Sequence, residues 1–187
     1  TWRMAFRSRQ YWNLKPLTEI RLSINLHKMK RVEGYSDIKL LECTNPVKNK
    51  WRLRFDVVAG EDGACSYIEE ELDHKPDSEE IRSIVSQWYN SETDKKILSG
   101  LEYEGHTVWL SNENQFNYKA AYDIAVQTSG QNLPVTFKLG TDEDPYYKTF
   151  ENLESLQDFY LKAMNHIQES LKEGWEKKDS FNVELYI

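Results

Sequence analysis

Clusters of acidic residues are the first places where this chain could do chemistry. An acidic turn runs from Asp142 to Asp144, and carboxylate oxygens are the ligands that Ca²⁺ prefers. A second run, Glu69–His74, combines carboxylates with an imidazole, which suits other divalent metals. The turn lacks the glycine and glutamate spacing of an EF-hand loop, and His74 falls beyond the end of its predicted strand. Both runs therefore predict solvated acidic surfaces, and no metal site is expected.

Residues for nucleophilic or acid–base catalysis are few. The chain has 4 His and 2 Cys, and it contains no Walker A loop, GxGxxG, GxSxG, HExxH or CxxC motif. Cys43 and Cys65 lie far apart in sequence and fit free thiols better than a disulfide framework. A dispersed catalytic site would have to bring together two or more members of this set: His74, His106, Glu113 and Asp123. We expect a protein that is not an enzyme and that uses no cofactor.

Basic residues are concentrated at the start of the chain. Residues 1–58 carry 13 Lys and Arg against 5 Asp and Glu, a net charge of +8, and residues 59–187 carry 11 against 26, a net charge of −15. Two solvated surfaces of opposite sign are the plain interpretation. The alternative is a surface that meets an acidic protein partner or the acidic part of a neighbouring copy of the chain. Nucleic acid is disfavoured by the overall charge of −7. The predicted protein-binding residues are Tyr11, Trp12, Arg21, Lys28, Lys30, Arg31, Arg52 and Arg54.

Predicted β-strands would carry this surface. Alternating apolar residues mark Glu19–Leu26 and Lys50–Val58, and shorter runs mark Asp37–Cys43 and Ala64–Leu72. A helix from Thr18 is the alternative for the first of these. The remaining strands indicate an antiparallel N-terminal sheet with one wet, basic face. The strand Lys50–Val58 would turn four side chains to the other face: Trp51, Leu53, Phe55 and Val57.

A helix is expected after the sheet. Asp77 and Glu80 have the spacing of a capping box, in which side chains satisfy the free N–H groups of a helix start. We predict that this helix ends near Asn90 and that Lys95–Gly100 is a short apolar bridge. The apolar stripe of this helix would be Ile81, Ile84, Val85, Trp88 and Tyr89.

The chain is expected to divide into a basic, β-rich region, 1–100, and an acidic α+β domain, 101–187. The second domain should begin with a hairpin, Leu101–Leu110, and continue with a helix over Asn112–Thr128 capped by Ser111. The inner face of that helix is predicted to be Phe116, Ala120, Ala121 and Ile124. A second hairpin follows over residues 134–150.

A long final helix has the strongest periodic signal in the chain. Asn152 is its predicted N-cap, Gly174 its predicted end, and Trp175 is expected to fold back on the last turn. The inward stripe would be Leu153, Leu156, Phe159, Tyr160, Ala163, Met164, Ile167 and Leu171. The predicted class is α+β, with an antiparallel N-terminal sheet and a C-terminal hairpin–helix–hairpin–helix unit.

Several motifs in this second unit carry a family resemblance. They are the run Val108–Tyr122 with Gln115 and Asn117, the strand Leu133–Lys138, the helix entry Phe150–Tyr160 and the ending Gly174–Lys178. The region Leu101–Asp179 resembles a domain of unknown function in small proteins encoded among the tail genes of tailed phages and prophages, including those of gut anaerobes. The resemblance implies no catalytic residues. It implies structural positions at Trp109, Gln115, Asn117, Pro134, Phe159 and Trp175.

The resemblance implies a structural or assembly component of a phage tail or tail fibre that acts through protein–protein contacts. Its partners would be other tail proteins or copies of itself, and the protein would either belong to the virion or aid its assembly in the host cytoplasm. No apolar run approaches the roughly 18 residues of a membrane helix, so no membrane is expected. The alternative is a small phage-encoded protein that binds and modulates a host or defence-system protein.

Overall fold

The fold is α+β and is built on an antiparallel sheet followed by helices and hairpins. The structure is a computed structural model, and it describes residues 29–35 and 37–187. The predicted strand Glu19–Leu26 lies outside the described residues. The elements are β1 (Lys30–Tyr35), β2 (Leu41–Asn45), β3 (Lys50–Ala59), β4 (Ala64–Leu72), α1 (Ser78–Ser99), β5 (Leu101–Tyr103), β6 (His106–Val108), α2 (Asn112–Gln127), β7 (Val135–Gly140), β8 (Pro145–Phe150), α3 (Leu153–Asp179) and a short 3₁₀ helix (Val183–Tyr186).

The described N-terminal sheet has the strand order β1-β4-β3-β2, with every pair antiparallel. The predicted second strand, Asp37–Cys43, was placed too early, since β2 begins at Leu41. The residues before it form an irregular approach in which the Leu40 carbonyl accepts a hydrogen bond from the Arg54 N–H at 2.7 Å. The segment before β2 therefore accepts a backbone hydrogen bond from β3 without forming regular strand pairing.

A β-bulge breaks the alternation of β3. Leu53 and Phe55 are buried as predicted, but the pairing with β4 shifts between Phe55 and Val58. Asp56 adopts a positive φ of 52° there, and Val57 is half-exposed. Since an extra residue in one strand changes which face the following side chains take, the predicted inward position of Val57 was wrong.

Helix α1 is longer than predicted. Its N-cap is Asp77, whose side chain accepts a hydrogen bond from the Glu80 N–H at 2.8 Å, and its predicted stripe packs on the sheet. It continues past Asn90 to Ser99, so the predicted end and the apolar bridge were wrong. The residues after Asn90 are polar, as at many helix ends. The helix continues because Ile97 packs against the core of the C-terminal unit and stabilises the last turns of α1.

The C-terminal unit has the predicted order of hairpin, helix, hairpin and long helix. Ser111 and Asn152 cap α2 and α3 as expected. Phe159 is at the centre of the core, with its ring centroid 4.9–5.6 Å from those of four other aromatic residues. They are Tyr103, Tyr118, Phe137 and Phe150. Burying Phe159 contributes about 1.5–3 kcal/mol.

Helix α2 buries a different face from the one predicted. Tyr118 and Ala125 are buried, whereas Phe116 is 72% exposed and Ile124 is half-exposed. The helix has two apolar stripes, and the Tyr118 ring is selected because it fits against Phe137, at 4.6 Å, and Phe159. The predicted inner face was therefore wrong.

Gly174 lies inside α3 and does not end it. The helix continues to Asp179, and Trp175 is 51% exposed, so the predicted fold-back was wrong. A Cβ placed on Gly174 would collide with Thr93 Oγ1 of α1. The glycine is needed because the two helices approach closely at this point.

Two buried clusters form the interior. The first lies between the N-terminal sheet and α1, and the second lies within the C-terminal unit. The end of the chain packs on the first cluster through Phe181, Val183 and Tyr186. The Tyr186 hydroxyl also donates a hydrogen bond to the Arg54 carbonyl at 3.0 Å. Together with the contact between α1 and α3, this return joins the two halves.

Candidate functional site

The predicted basic face of the sheet is an ion-pair network. Arg54 is 7% exposed, and its guanidinium donates to Glu69 at 3.0 Å, to Glu42 at 2.9 Å and to the Lys39 carbonyl at 2.8 Å. Its charge also lies 5.6 Å from the centre of the Tyr67 ring. The prediction of a wet, basic face was wrong here because acidic residues of β2 and β4 neutralise it.

Arg52 has the same kind of partner at the edge of this network. Its guanidinium donates to Glu71 at 2.9 Å and lies 3.4 Å from Glu69. The hydrogen bond from Arg52 is the main reason that the pKa of the Glu71 carboxyl falls below its ordinary value. Of the other predicted binding residues, Lys30 is exposed. Four lie outside the described residues: Tyr11, Trp12, Arg21 and Lys28.

Arg31, the remaining predicted binding residue, pairs with the carboxylate at the β-bulge. It contacts Asp56, which also accepts a hydrogen bond from the Tyr89 hydroxyl at 3.1 Å. Burial, and then the Asp56 charge, raise the pKa of Tyr89. The three residues line a cavity of about 140 Å³ beside the α1–α3 crossing. Its other charged residues include Lys96 and Glu173, which pair at 2.6 Å.

The candidates for catalysis are not assembled into one cluster. His74 bonds to Glu80 at 2.8 Å, Asp123 accepts from Lys119 at 2.6 Å, and the His106 ring stacks on Tyr146 at 3.9 Å. In the acidic turn, Asp142 pairs with Lys138 at 2.7 Å. Within residues 29–35 and 37–187, no group of three or more His, Cys, Asp or Glu could hold a metal ion.

A concave site with a volume of about 720 Å³ lies in the C-terminal unit. It lies between β6, the first turns of α2 and the strand β7, and this volume is within the range of roughly 300–1,000 Å³ that ligand pockets occupy. Three aromatic residues line it: Trp109, Tyr118 and Phe137. Its polar lining consists of Ser99, Thr107, Asn114, Asn117, Thr136, Lys138, Thr141 and Asp142. We call this site the α2 groove.

The entry to α2 positions Trp109 at the rim of this groove. The Asn114 side-chain amide donates to the Trp109 carbonyl at 2.7 Å, and Gln115 donates to the Leu110 carbonyl at 2.7 Å. Trp109 itself is 48% exposed. The amides thus hold the segment before the helix in a defined conformation.

The motif residues have different environments. Gln115 holds the helix entry, and Phe159 occupies the core. Asn117 lines the groove and, among the residues that the structure describes, its side chain accepts and donates no hydrogen bond. Pro134 follows a cis peptide bond before β7, and Trp175 is on the outer surface of α3.

Tyr118, Phe137 and Thr107 were not among the predicted site residues. Burial raises the pKa of Tyr118 to about 12, so its phenol is neutral at physiological pH. Phe137 alternates with polar neighbours along β7, but only the tertiary structure brings it beside Tyr118. The sequence did contain one signal for the groove: the uncharged side-chain amides of Asn114 and Asn117 are one helical turn apart.

No family model, curated protein or solved structure matches the chain. Among the described helices, none combines the length and the apolar character needed to cross a lipid bilayer.

Proposed function

We propose that the chain is a non-enzymatic structural or assembly component of a phage or prophage tail that acts through protein–protein contacts. The structural observation that carries the proposal is an apolar stripe of α2 at a four-residue spacing, in which Phe116 and Ile124 are exposed and Ala120 between them is partly buried. Residues at this spacing lie on one side of a helix, and an exposed apolar stripe costs solubility unless a partner covers it.

The setting is supported by the resemblance of Leu101–Asp179 to the tail-associated domain. The partner protein is expected to contact α2 rather than Arg54, because Arg54 is already enclosed by its acidic partners, Glu42 and Glu69. The proposed partner is therefore one that offers an apolar surface, either another tail protein or a second copy of this chain.

Mass spectrometry of purified phage particles, combined with cross-linking before purification, tests this function. We expect the chain in particles or in assembly intermediates, with cross-links from Lys119 of α2 to a tail protein or to a second copy. Phe116→Glu should reduce incorporation, whereas Val126→Glu, which changes a half-exposed apolar residue on another side of the same helix, should not.

A chain that occurs in neither particles nor tail intermediates would overturn the proposal. Recovery of one stoichiometric host protein, with no tail protein, would instead support the alternative that the chain modulates a host or defence-system protein. If both helix variants reduce incorporation equally, the contact does not use the Phe116 stripe.

A further inference from the structure

The α2 groove combines aromatic walls with uncharged hydrogen-bonding groups. Tyr118 and Phe137 form part of the wall, with ring centroids 4.6 Å apart, and Trp109 adds a ring that stacks on no other ring in the described part of the chain. Aromatic rings of this kind present flat apolar surfaces that favour a flat apolar ligand face. The ligand must therefore have at least one such face.

Several polar groups of the groove have no partner within the described residues. Three side-chain groups make no hydrogen bond with the described residues: the amide of Asn117 and the hydroxyls of Thr107 and Tyr118. Tyr118 is only 4% exposed, yet its hydroxyl oxygen is not completely enclosed by protein atoms. The hydroxyl therefore keeps some contact with solvent, on a residue that lines the groove.

Charge excludes several ligand classes. The two charged side chains of the lining, Lys138 and Asp142, pair with each other at 2.7 Å and cancel. No unpaired cation within the described lining would attract a phosphate or carboxylate group, and no unpaired anion would attract an amine. A neutral ligand with many hydroxyl groups fits this lining because it can use amides and hydroxyls in both donor and acceptor roles.

We infer that the α2 groove binds a neutral saccharide, with one sugar ring stacked on Trp109 and its hydroxyls bonded to Asn117, Thr107 and Tyr118. A pyranose ring has an apolar C–H face and a rim of hydroxyls, which matches aromatic walls bordered by uncharged polar groups. The volume of about 720 Å³ exceeds what one sugar ring occupies, so the site takes an oligosaccharide. This site is separate from the Phe116 stripe and does not depend on the proposed tail function.

The helix entry prepares the groove for this role. The hydrogen bonds from Asn114 and Gln115 to the carbonyls of residues 109 and 110 fix the backbone beneath the Trp109 ring. A backbone that is already ordered loses less conformational freedom on binding, and this lowers the entropic cost of association.

Titration of the full chain with neutral oligosaccharides tests the inference. The probes are maltohexaose, cellohexaose, mannohexaose and hexa-N-acetylchitohexaose, each followed by NMR amide shifts and calorimetry at up to about 10 mM, which reaches weak affinities. We expect at least one probe to bind, with the largest shifts at Thr107, Trp109 and Asn117. Affinity should be unchanged between about 50 and 500 mM salt, because no net charge is involved.

Matched variants make the test specific. Trp109→Ala should lower the affinity about tenfold or more, whereas Trp175→Ala should leave it unchanged. These two tryptophans have nearly equal exposure, 48% and 51%. Tyr118→Phe removes one oxygen, keeps the buried ring, and should weaken binding about three- to tenfold.

Three results would overturn the inference. One is the absence of binding by all four probes to the folded chain. Another is binding that Trp109→Ala and Tyr118→Phe both leave intact. The third is binding confined to an anionic probe, oligogalacturonate, with affinity that falls steeply as salt rises. None of these results bears on incorporation into phage particles, so the proposed function stands or falls separately.

Discussion

The sheet of the N-terminal half and the groove of the C-terminal half treat their polar side chains in opposite ways. On the sheet, Arg54 and Arg52 have acidic partners across neighbouring strands, and Arg31 pairs with Asp56 at the bulge. In the α2 groove, Asn117 and Tyr118 are uncharged and have no hydrogen-bond partner within the described residues. Polar groups that are already paired stabilise the fold, whereas polar groups left open in a concave site are available to a ligand.

The largest expected effect is in the ion-pair network of the sheet. Arg54→Met should lower the free energy of unfolding by about 3–5 kcal/mol, because it leaves the buried Glu69 carboxylate without its main partner. The double variant Arg54→Met/Glu69→Leu should be more stable than the single one, since the buried carboxylate that lost its partner is also removed. Urea unfolding of both variants measures this. Equal stability of wild type and Arg54→Met would show that the network contributes nothing.

A smaller effect is expected where the two halves meet. Gly174→Ala would gain about 0.5–1 kcal/mol from helix propensity but should lose about 1–3 kcal/mol to overpacking against Thr93. The net result should be destabilisation, seen as a lower midpoint in urea. The control for propensity alone is the difference between Gln168→Ala and Gln168→Gly, at an exposed position of the same helix. A Gly174→Ala variant more stable than wild type would contradict the close approach of α1 and α3.

In the groove, removal of a polar group should cost little stability. Asn117→Ala should change the free energy of unfolding by about 0.5 kcal/mol or less, because its side chain bonds to no described residue. Gln115→Ala, two residues earlier, removes the hydrogen bond to the Leu110 carbonyl and should cost about 0.5–1.5 kcal/mol. Comparing their thermal or urea midpoints tests the contrast. An Asn117 variant that loses more than the Gln115 variant would show that the groove amide has a structural role.

The smallest effect concerns pH. The pKa of Glu71 is below its ordinary value because of its hydrogen bond with Arg52. A lowered folded-state pKa gives stability that is present above the unfolded value and is lost as pH falls through the folded value. NMR titration of the Glu71 carboxyl should therefore give a low pKa in the wild type and a higher one in Arg52→Gln. An unchanged value in the variant would exclude Arg52 as the cause.

Much of the fold could be predicted because its signals are local. The caps at Asp77, Ser111 and Asn152 and the stripe of α3 each depend on residues within a few positions of one another. The candidate groove could not be predicted, because Trp109 precedes α2, Tyr118 lies within α2 and Phe137 comes from β7. The predicted basic surface was wrong at Arg54 because its acidic partners, Glu42 and Glu69, are twelve and fifteen residues away.

The sequence by itself determined the α+β class, the order of the C-terminal elements and the starts of the helices. Only the tertiary structure decided which of the two apolar stripes of α2 is buried and whether Gly174 ends a helix or lies within one. The physical reason is that periodicity specifies which side chains share a face, but burial depends on the shape of what that face meets. Tyr118 fits against Phe159, and Gly174 makes room for Thr93, and both contacts join residues far apart in the chain.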